Sequence, residues 1–448
     1  MTTPDDNTVN PNYLGHVLAT GEARGAVASE DIYAGNGIKL LAKGASIHAG
    51  QREKLLEHKL RKPLEACIEL TNAVSPSALG PLALAQMDRH PLLRTLCGHG
   101  ATTSIDVVLQ SLQLPTPVQS LLTAYADSQP QRLEHAVGVA MLTATLARQL
   151  LPGEPERQRN LALAGLVHDV GELYIDPACL LRETRLGAAQ WRQIATHPLI
   201  AHRVLLRLAG AGREVAEAVR DHHERLDGFG YPRGVAGPAL PLPGQVLGVA
   251  EWLMAMVELG DTPQVRIGTI TRLIRGEFSH DVLDLVRQAG AEADGQTPGS
   301  ADPELTRMLA VSVHIERLMA AMDRFEQARD AIQSQAAMSR ASLRQLLDSC
   351  LQRMQRIRIA LNSTGIDGRQ TLEQLQILTA GSPAVLGEVE VIVRELGWRL
   401  RDIERTTLQR ACGLSNDDQT QVHRILDQVS LGTAGVDDES TPSRLEPA

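Results

Sequence analysis

The chain has 448 residues, length for two to four domains, of which 43% are hydrophobic and only 2% aromatic, with a net charge of −9. A core so poor in aromatics is built from Leu, Ala, Val, Ile and Met, which suits stacked helices and argues against a β-sandwich. The acidic balance excludes general nucleic-acid binding, DNA included, but not a small anionic ligand held beside a metal ion.

Residues 1–12, "MTTPDDNTVNPN", are polar and expected to be disordered. Next, "GAVASEDIYAGNGIKLLAKGASI" interrupts short apolar stretches with Gly-Asn-Gly and Lys-Gly, the mark of strands joined by turns. "AGQREKLLEHKL" predicts a short helix and "PLEACIEL" a last strand. Together they predict a small α+β module over residues 13–75, an expected input or interaction domain, with "SPSALGP" as linker. Its "AGNG" lacks the Lys and the helix start that a phosphate loop needs. From residue 80 to about 290 apolar residues recur at three and four, as in "VGVAMLTATLARQLL" and "LALAGLVHDVGELYI", which predicts an all-helical domain. Residues 291–303, inside "AGAEADGQTPGSADPE", form an expected linker. Residues 304–430 are helical again. Leu305, Met308, Ser312, Ile315, Met319 and Met322 make one seam, and Leu343, Leu347, Cys350, Met354, Ile357 and Leu361 another. Such seams close a bundle on itself or join a homodimer. Residues 431–448 are an expected disordered tail. The fold class expected is mainly α, a central helical domain between a small α+β module and a C-terminal helical bundle. No apolar run approaches the ~20 residues of a membrane span. Cys67, Cys97, Cys179, Cys350 and Cys412 are scattered, odd in number and without a CxxC. With no signal peptide at the start, they read as reduced thiols in a cytoplasm.

Six of the fourteen histidines fall between residues 135 and 223: His135, His168, His197, His202, His222 and His223. A lone helical histidine is ordinarily a surface or hydrogen-bonded core residue, and His202, on a different face from His197, stays in that class. Asp169 follows His168. Neighbours on a helix diverge by roughly 100°, so the two approach from different sides, and a carboxylate can bridge two cations because each oxygen donates separately. Imidazoles from neighbouring helices can fill the remaining positions, and mixed His and carboxylate ligation suits Fe, Mn, Zn or Co better than Mg or Ca. The stretch "DHHERLDGFGYP", Asp221 to Pro232, is the more specific signal. It ends a helix in two adjacent donors. Asp227, Gly228 and Gly230 then favour positive φ, and Tyr231-Pro232 stiffens the exit.

His135, His168-Asp169, His197, His222-His223 and the "DGFGYP" loop resemble the HD-GYP family, a branch of the HD superfamily of metal-dependent phosphohydrolases. The resemblance runs from about residue 125 to 285, roughly a third of the chain. It implies an all-helical domain holding two or three metal ions, usually iron or manganese, and hydrolysis of bacterial cyclic di-GMP to pGpG or GMP. It implies metal ligation by His135, His168, Asp169, His197, His222 and His223, with Asp169 the bridge and His168 and Asp169 at the catalytic centre. It also associates the Gly-Tyr-Pro loop with signalling partners. Arg225 is a candidate phosphate partner, since a guanidinium grips two oxygens.

The sequence departs from the family in four places. "HDVGE" puts Glu172 where the family has Lys, an anion for a cation unless it turns to a metal or pairs with an arginine. Gln131 stands where members with a third metal carry Glu, so two metal ions are expected. In "VAEWLMAM" Glu251 replaces an Asp; its carboxylate stays a candidate metal ligand, with a reach longer by roughly 1.5 Å. "VELGDTPQ" replaces an Arg-Pro-Tyr-Arg-like substrate clamp, with Arg266 as a candidate substitute. The ligands are mostly kept and the clamps mostly lost. The expectation is a cyclic di-GMP phosphodiesterase. The alternatives are an impaired, metal-containing sensor or signalling scaffold and an HD hydrolase of another phosphoester.

Overall fold

The computed structural model describes residues 7–98, 101, 103–129, 131–180, 188–207, 211–258, 267–268, 271, 276–291, 304–364 and 383–429. The expected linker beyond residue 291, the tail and Arg266 lie outside these residues.

The chain opens on a helix that turn-rich neighbours hide in the sequence. α1 (Pro11–Arg24) starts with Asn10, whose side chain accepts from the amides of Asn12 and Tyr13, and Pro11 takes the first helical position. Residues 7–12 are therefore ordered, against the expectation of disorder through residue 12: Val9 is buried and Asn10 is a cap. β1 (Ala26–Ala28) pairs antiparallel with β4 (Ile68–Leu70), and β2 (Ile32–Tyr33) with β3 (Lys39–Leu41), around the short α2 (Arg52–Leu56).

This small module shares its core with the helices that follow. One continuous apolar cluster runs from Val9 through Val286 and takes in Val391 from the C-terminal helices. The Tyr13 and Tyr174 rings stack at 4.9 Å, nearly parallel, and the Tyr174 hydroxyl donates to Glu65 at 2.5 Å. The amides of Leu70 and Val74 donate to the hydroxyls of Ser120 and Thr123.

The middle of the chain holds α3 (Pro76–Arg89), α4 (Pro91–Gly98), α5 (Ile105–Gln110), α6 (Thr116–Ser128), α7 (Arg132–Leu150) and α8 (Pro155–Val167). α9 (Ala188–Ile194), α10 (His197–Arg207), α11 (Arg213–Asp221), α12 (Leu242–Glu258) and α13 (His280–Ala291) follow. α7 lies against both α8 and α12, and α10 against α11. α7 and α12 are buried around nearly their whole circumference, as helices apolar on every face must be. The ionisable side chains they carry toward the interior, among them Arg132, His135, Glu251 and Glu258, are therefore positioned by a rigid interior.

A second apolar cluster, from Met308 to Val429, is built by α14 (Glu304–Met338), α15 (Ala341–Ser363), α16 (Pro383–Ala411) and α17 (Asn416–Val429). The α15 seam falls as expected, with Leu343, Leu347, Cys350, Met354, Ile357 and Leu361 all buried. On α14 the buried line instead runs through Met308, Val311, Ile315, Leu318 and Met322, and Ser312 bonds to its own helix at Leu309. These seams face one another within the bundle. Among the described residues no helix is long and apolar enough to cross a membrane.

Candidate metal centre

Four helix ends deliver the donors. His168 caps the C-terminus of α8, and Asp169 opens a short 3-10 turn, Val170–Tyr174. His197 starts α10, and His222 and His223 follow α11. His135 sits in the first turn of α7. Gly171 lets these ends meet: a Cβ there would lie 2.1 Å from the His197 carbonyl oxygen, so only glycine allows the 3-10 turn to press against α10.

Three histidines are held the same way. The Nδ1 of His168 bonds the Gly165 carbonyl at 2.8 Å, that of His197 the Ile194 carbonyl at 2.8 Å, and that of His222 the Val219 carbonyl at 2.5 Å. A carbonyl only accepts, so each Nδ1 carries a proton and each Nε2 is the nitrogen turned inward, presenting a lone pair whenever the ring is neutral. Those lone pairs converge on Asp169. Its Oδ2 lies 3.1 Å from His168 Nε2, and its Oδ1 lies 3.2 Å from His197 Nε2 and 3.6 Å from His222 Nε2. Glu251 is brought to the same place, its Oε2 3.5 Å from His222 Nε2 and 3.7 Å from His223 Nδ1.

The donor set fits metal ions. His197 Nε2 and His222 Nε2 face each other at 3.4 Å, and when both rings are neutral with Nδ1 protonated neither has a proton to offer the other. His168 Nε2, Asp169 Oδ1 and His223 Nδ1 are buried without a hydrogen-bond partner. Unsatisfied buried acceptors are costly in a native interior, and bound cations would satisfy them. Among the described residues the donors fall into two groups, Asp169 with His197, His222 and His223, and Asp169 with His135 and His168. Asp169 is common to both. Gln131 stands at the N-cap of α7.

The Asp169 carboxylate dominates the electrostatics of the centre. Burial drives the His168 imidazole down, but the Asp169 carboxylate outweighs it and holds the group up at about 9. Burial pushes Asp169 up, yet His168, His197 and His222 hold it well below the usual carboxylate range. His223 is pushed well down, first by burial and then by the charge of His222. Burial holds the Tyr231 hydroxyl well above its ordinary range, so it stays protonated.

The loop after His223 is shaped by close contacts. Tyr231 donates its amide to the His223 carbonyl at 3.1 Å, and its ring stacks on the His223 ring at 4.5 Å. Gly228 adopts φ +79, as its sequence predicts. Gly230 does not adopt positive φ. It is glycine because a Cβ would lie 2.4 Å from the Arg225 amide and 2.5 Å from the His223 carbonyl oxygen. Asp227 accepts from the Phe229 amide, and the loop leaves through Pro232. Arg225 is placed differently from a phosphate grip. Its guanidinium bonds the carbonyls of His222 and Glu224 and lies 4.7 Å over the Phe278 ring, where it braces the loop.

Two partners escape sequence reasoning. Glu172 is answered by Arg132, their side chains 2.9 Å apart and the arginine only 4% exposed. The anion that replaces the family's Lys is thus neutralised from α7. Glu258 lies 2.9 Å from His135 Nδ1, and its charge outweighs burial to raise that imidazole. Glu258 falls inside the "VELGDTPQ" segment, which reads as a lost clamp. Its spacing of seven from Glu251, two turns along α12, is the signal that puts both carboxylates on one face.

Residues 119–268 match the family model described as HD domain. The chain is 31% identical over 169 residues to 3'3'-cGAMP-specific phosphodiesterase 1 of Vibrio cholerae, covering 37% of this chain and 39% of that protein. It is 32% identical over 138 residues to 3'3'-cGAMP-specific phosphodiesterase 3 of the same organism, covering 30% of each. It is 35% identical over 108 residues to the cyclic di-GMP phosphodiesterase PA4108 of Pseudomonas aeruginosa, covering 24% of this chain and 26% of that protein. The chain therefore spans well under half the length of these relatives.

Proposed function

Because the central segment of this chain is an HD domain of the HD-GYP family, we propose that the protein is a metal-dependent phosphodiesterase that opens cyclic di-GMP to pGpG or GMP. The observation that carries this reading is the convergence of the inward Nε2 atoms of His168, His197 and His222 on the buried Asp169 carboxylate. His135, His168 and Asp169 would hold one divalent cation, and Asp169, His197, His222 and His223 a second, with Glu251 close to His222 and His223. Iron and manganese suit this donor set. Such ions, when bound, polarise a phosphodiester and lower the pKa of water.

The chain's own residues do the rest. The Nδ1 bonds to backbone carbonyls fix each ring's tautomer and aim, so donor atoms need no reorganisation when charge develops at phosphorus. Glu258 does the same for His135. Tyr231 covers the outer face of His223 and keeps water from that side. Water adds in line across one phosphodiester, opposite the leaving ribose oxygen, and no protein nucleophile is required.

A second substrate has support of its own. Three relatives are named 3'3'-cGAMP-specific phosphodiesterases, and the Arg-Pro-Tyr-Arg-like clamp is missing here. A 3'3'-linked cyclic dinucleotide with a different base pair is the alternative substrate. The protein, loaded anaerobically with iron or manganese, is incubated with each dinucleotide in turn. Linear product that is lost in His168→Ala and Asp169→Ala supports hydrolysis, and the faster substrate decides between the two. Tight binding of either dinucleotide without product overturns hydrolysis in favour of a sensor.

A further inference from the structure

The loop that ends in Tyr231-Pro232 has an inner face and an outer face, and the outer face is covered by this chain's own C-terminal helices. Arg356 Nη1 lies 2.7 Å from Asp227 Oδ2, and the aspartate side chain is only 5% exposed. Arg410 Nη2 donates to two loop carbonyls, Gly228 at 3.0 Å and Gly230 at 3.1 Å. The Phe229 ring lies beneath two guanidinium groups, Arg353 at 5.0 Å and Arg356 at 5.4 Å. Arg353 is itself anchored in the bundle by Asp402 and by the Thr406 hydroxyl. A second contact lies beside the loop. Arg399 pairs with Glu277, whose carbonyl accepts the Leu226 amide at 2.9 Å.

The chemistry of the two sides matches. The loop presents one carboxylate, two unsatisfied carbonyls and one aromatic face, each of which takes a planar cation well. The bundle answers each with an arginine. The inner face of the same residues touches the metal centre: Gly230 is pressed on the His223 carbonyl, and Tyr231 bonds and stacks on His223.

We propose that the outer face of the Gly-Tyr-Pro loop is an interaction surface whose partner is the C-terminal bundle of the same chain, and that this contact keeps Tyr231 seated on His223. Any separate signalling protein that reaches this face must first displace Arg356 and Arg410. The consequence for His223 as a ligand rests on the metal-site reading above, whereas the loop contact does not.

The test is hydrogen exchange on the full-length protein, comparing wild type with the double variant Arg356→Ala, Arg410→Ala. The amides of residues 226–235 are expected to exchange at least about tenfold faster, with those of α7 and α12 unchanged. The Arg356→Lys, Arg410→Lys variant should fall between, since an ammonium cannot reproduce the planar contact with Phe229 and both carbonyls. Loop exchange equal to wild type overturns the proposal. Should the double variant lose its helical signal, Arg356→Ala alone carries the test, because that side chain is half exposed. A titration with manganese alone reads the coupling: weaker retention in the double variant supports it, and equal retention alongside a loosened loop overturns it. These readouts need no substrate. A protein that passes them but turns over neither dinucleotide loses the catalytic reading only.

Discussion

Glu258 shows what a single carboxylate does for a ligand it does not replace. It accepts from His135 Nδ1 at 2.9 Å, so the ring's remaining nitrogen is the one available to a cation. Glu258→Gln keeps the shape and removes the charge. It is expected to weaken iron or manganese binding about 10- to 100-fold, read by competition titration of protein purified without air; unchanged affinity would show that His135 is oriented by packing alone. Arg132 and Glu172 are the second pair that composition and motif could not reveal. "HDVGE" read alone is a lost cation, because the arginine that answers it stands forty residues earlier on another helix. Replacing Glu172 with Gln strands a buried guanidinium and is expected to cost about 3 kcal/mol. The paired variant Arg132→Met, Glu172→Met should recover most of that in urea unfolding. The histidines were legible for the opposite reason: each stands at the end of a strongly periodic helix, so its position in space follows from the helix.

At the scale of elements, two glycines shape the loop that follows α11. The positive φ of Gly228 was readable from its neighbours, since Asp-Gly is turn chemistry. The need for Gly230 was not, because the atoms it avoids belong to residues 223 to 225 folded back on the loop. The two positions should therefore respond differently. Gly228→Ala carries backbone strain of roughly 1–2 kcal/mol and leaves His223 in place. Gly230→Ala drives a methyl group into backbone atoms, so it should destabilise more and also lower metal retention. Melting temperatures and metal content of the two variants, measured together, separate strain from displacement; equal effects would contradict the close approach. α1 was hidden for a related reason. Its apolar residues Tyr13, Leu14, Val17 and Leu18 are buried, but Gly15 and Gly21 and the turn-rich segment after it dilute the periodicity. The Asn10-Pro11 start was the signal available.

Across the whole molecule the C-terminal bundle meets the first core through Arg356, Arg399 and Arg410 and through Val391, which joins the first apolar cluster, and the bundle has a buried ion pair of its own. Asp402 of the C-terminal bundle lies between Arg353 and Arg405. Burial pushes its carboxyl up, but the two arginines outweigh that and hold it at about 2, below the ordinary 3.8. A carboxyl depressed on folding stabilises the protein fully above its unfolded pKa and loses that contribution as pH falls through the folded one. The contribution is about 2 kcal/mol. The stability gap between wild type and Asp402→Asn should thus be constant from neutral pH to about pH 4 and shrink toward pH 2. Urea unfolding across that range tests it, and a gap that does not narrow would remove the ion pairs as its source. The helical class of the chain and the seam on α15 could be read from periodicity. The docking of the bundle on the loop could not, since the arginines that make it sit on the polar faces of α15 and α16, where a solvated charge and a contact look alike.

The tyrosine stack between α1 and the turn that begins at Asp169 bears on how this protein is cut for study. A fragment trimmed to start at residue 80 would bare one flank of Tyr174 and strip the hydroxyls of Ser120 and Thr123 of the amides they accept. Such a piece should stick to itself in light scattering, while one running from residue 7 stays dispersed, so the opening seventy residues are best regarded as a wall of the central helical domain.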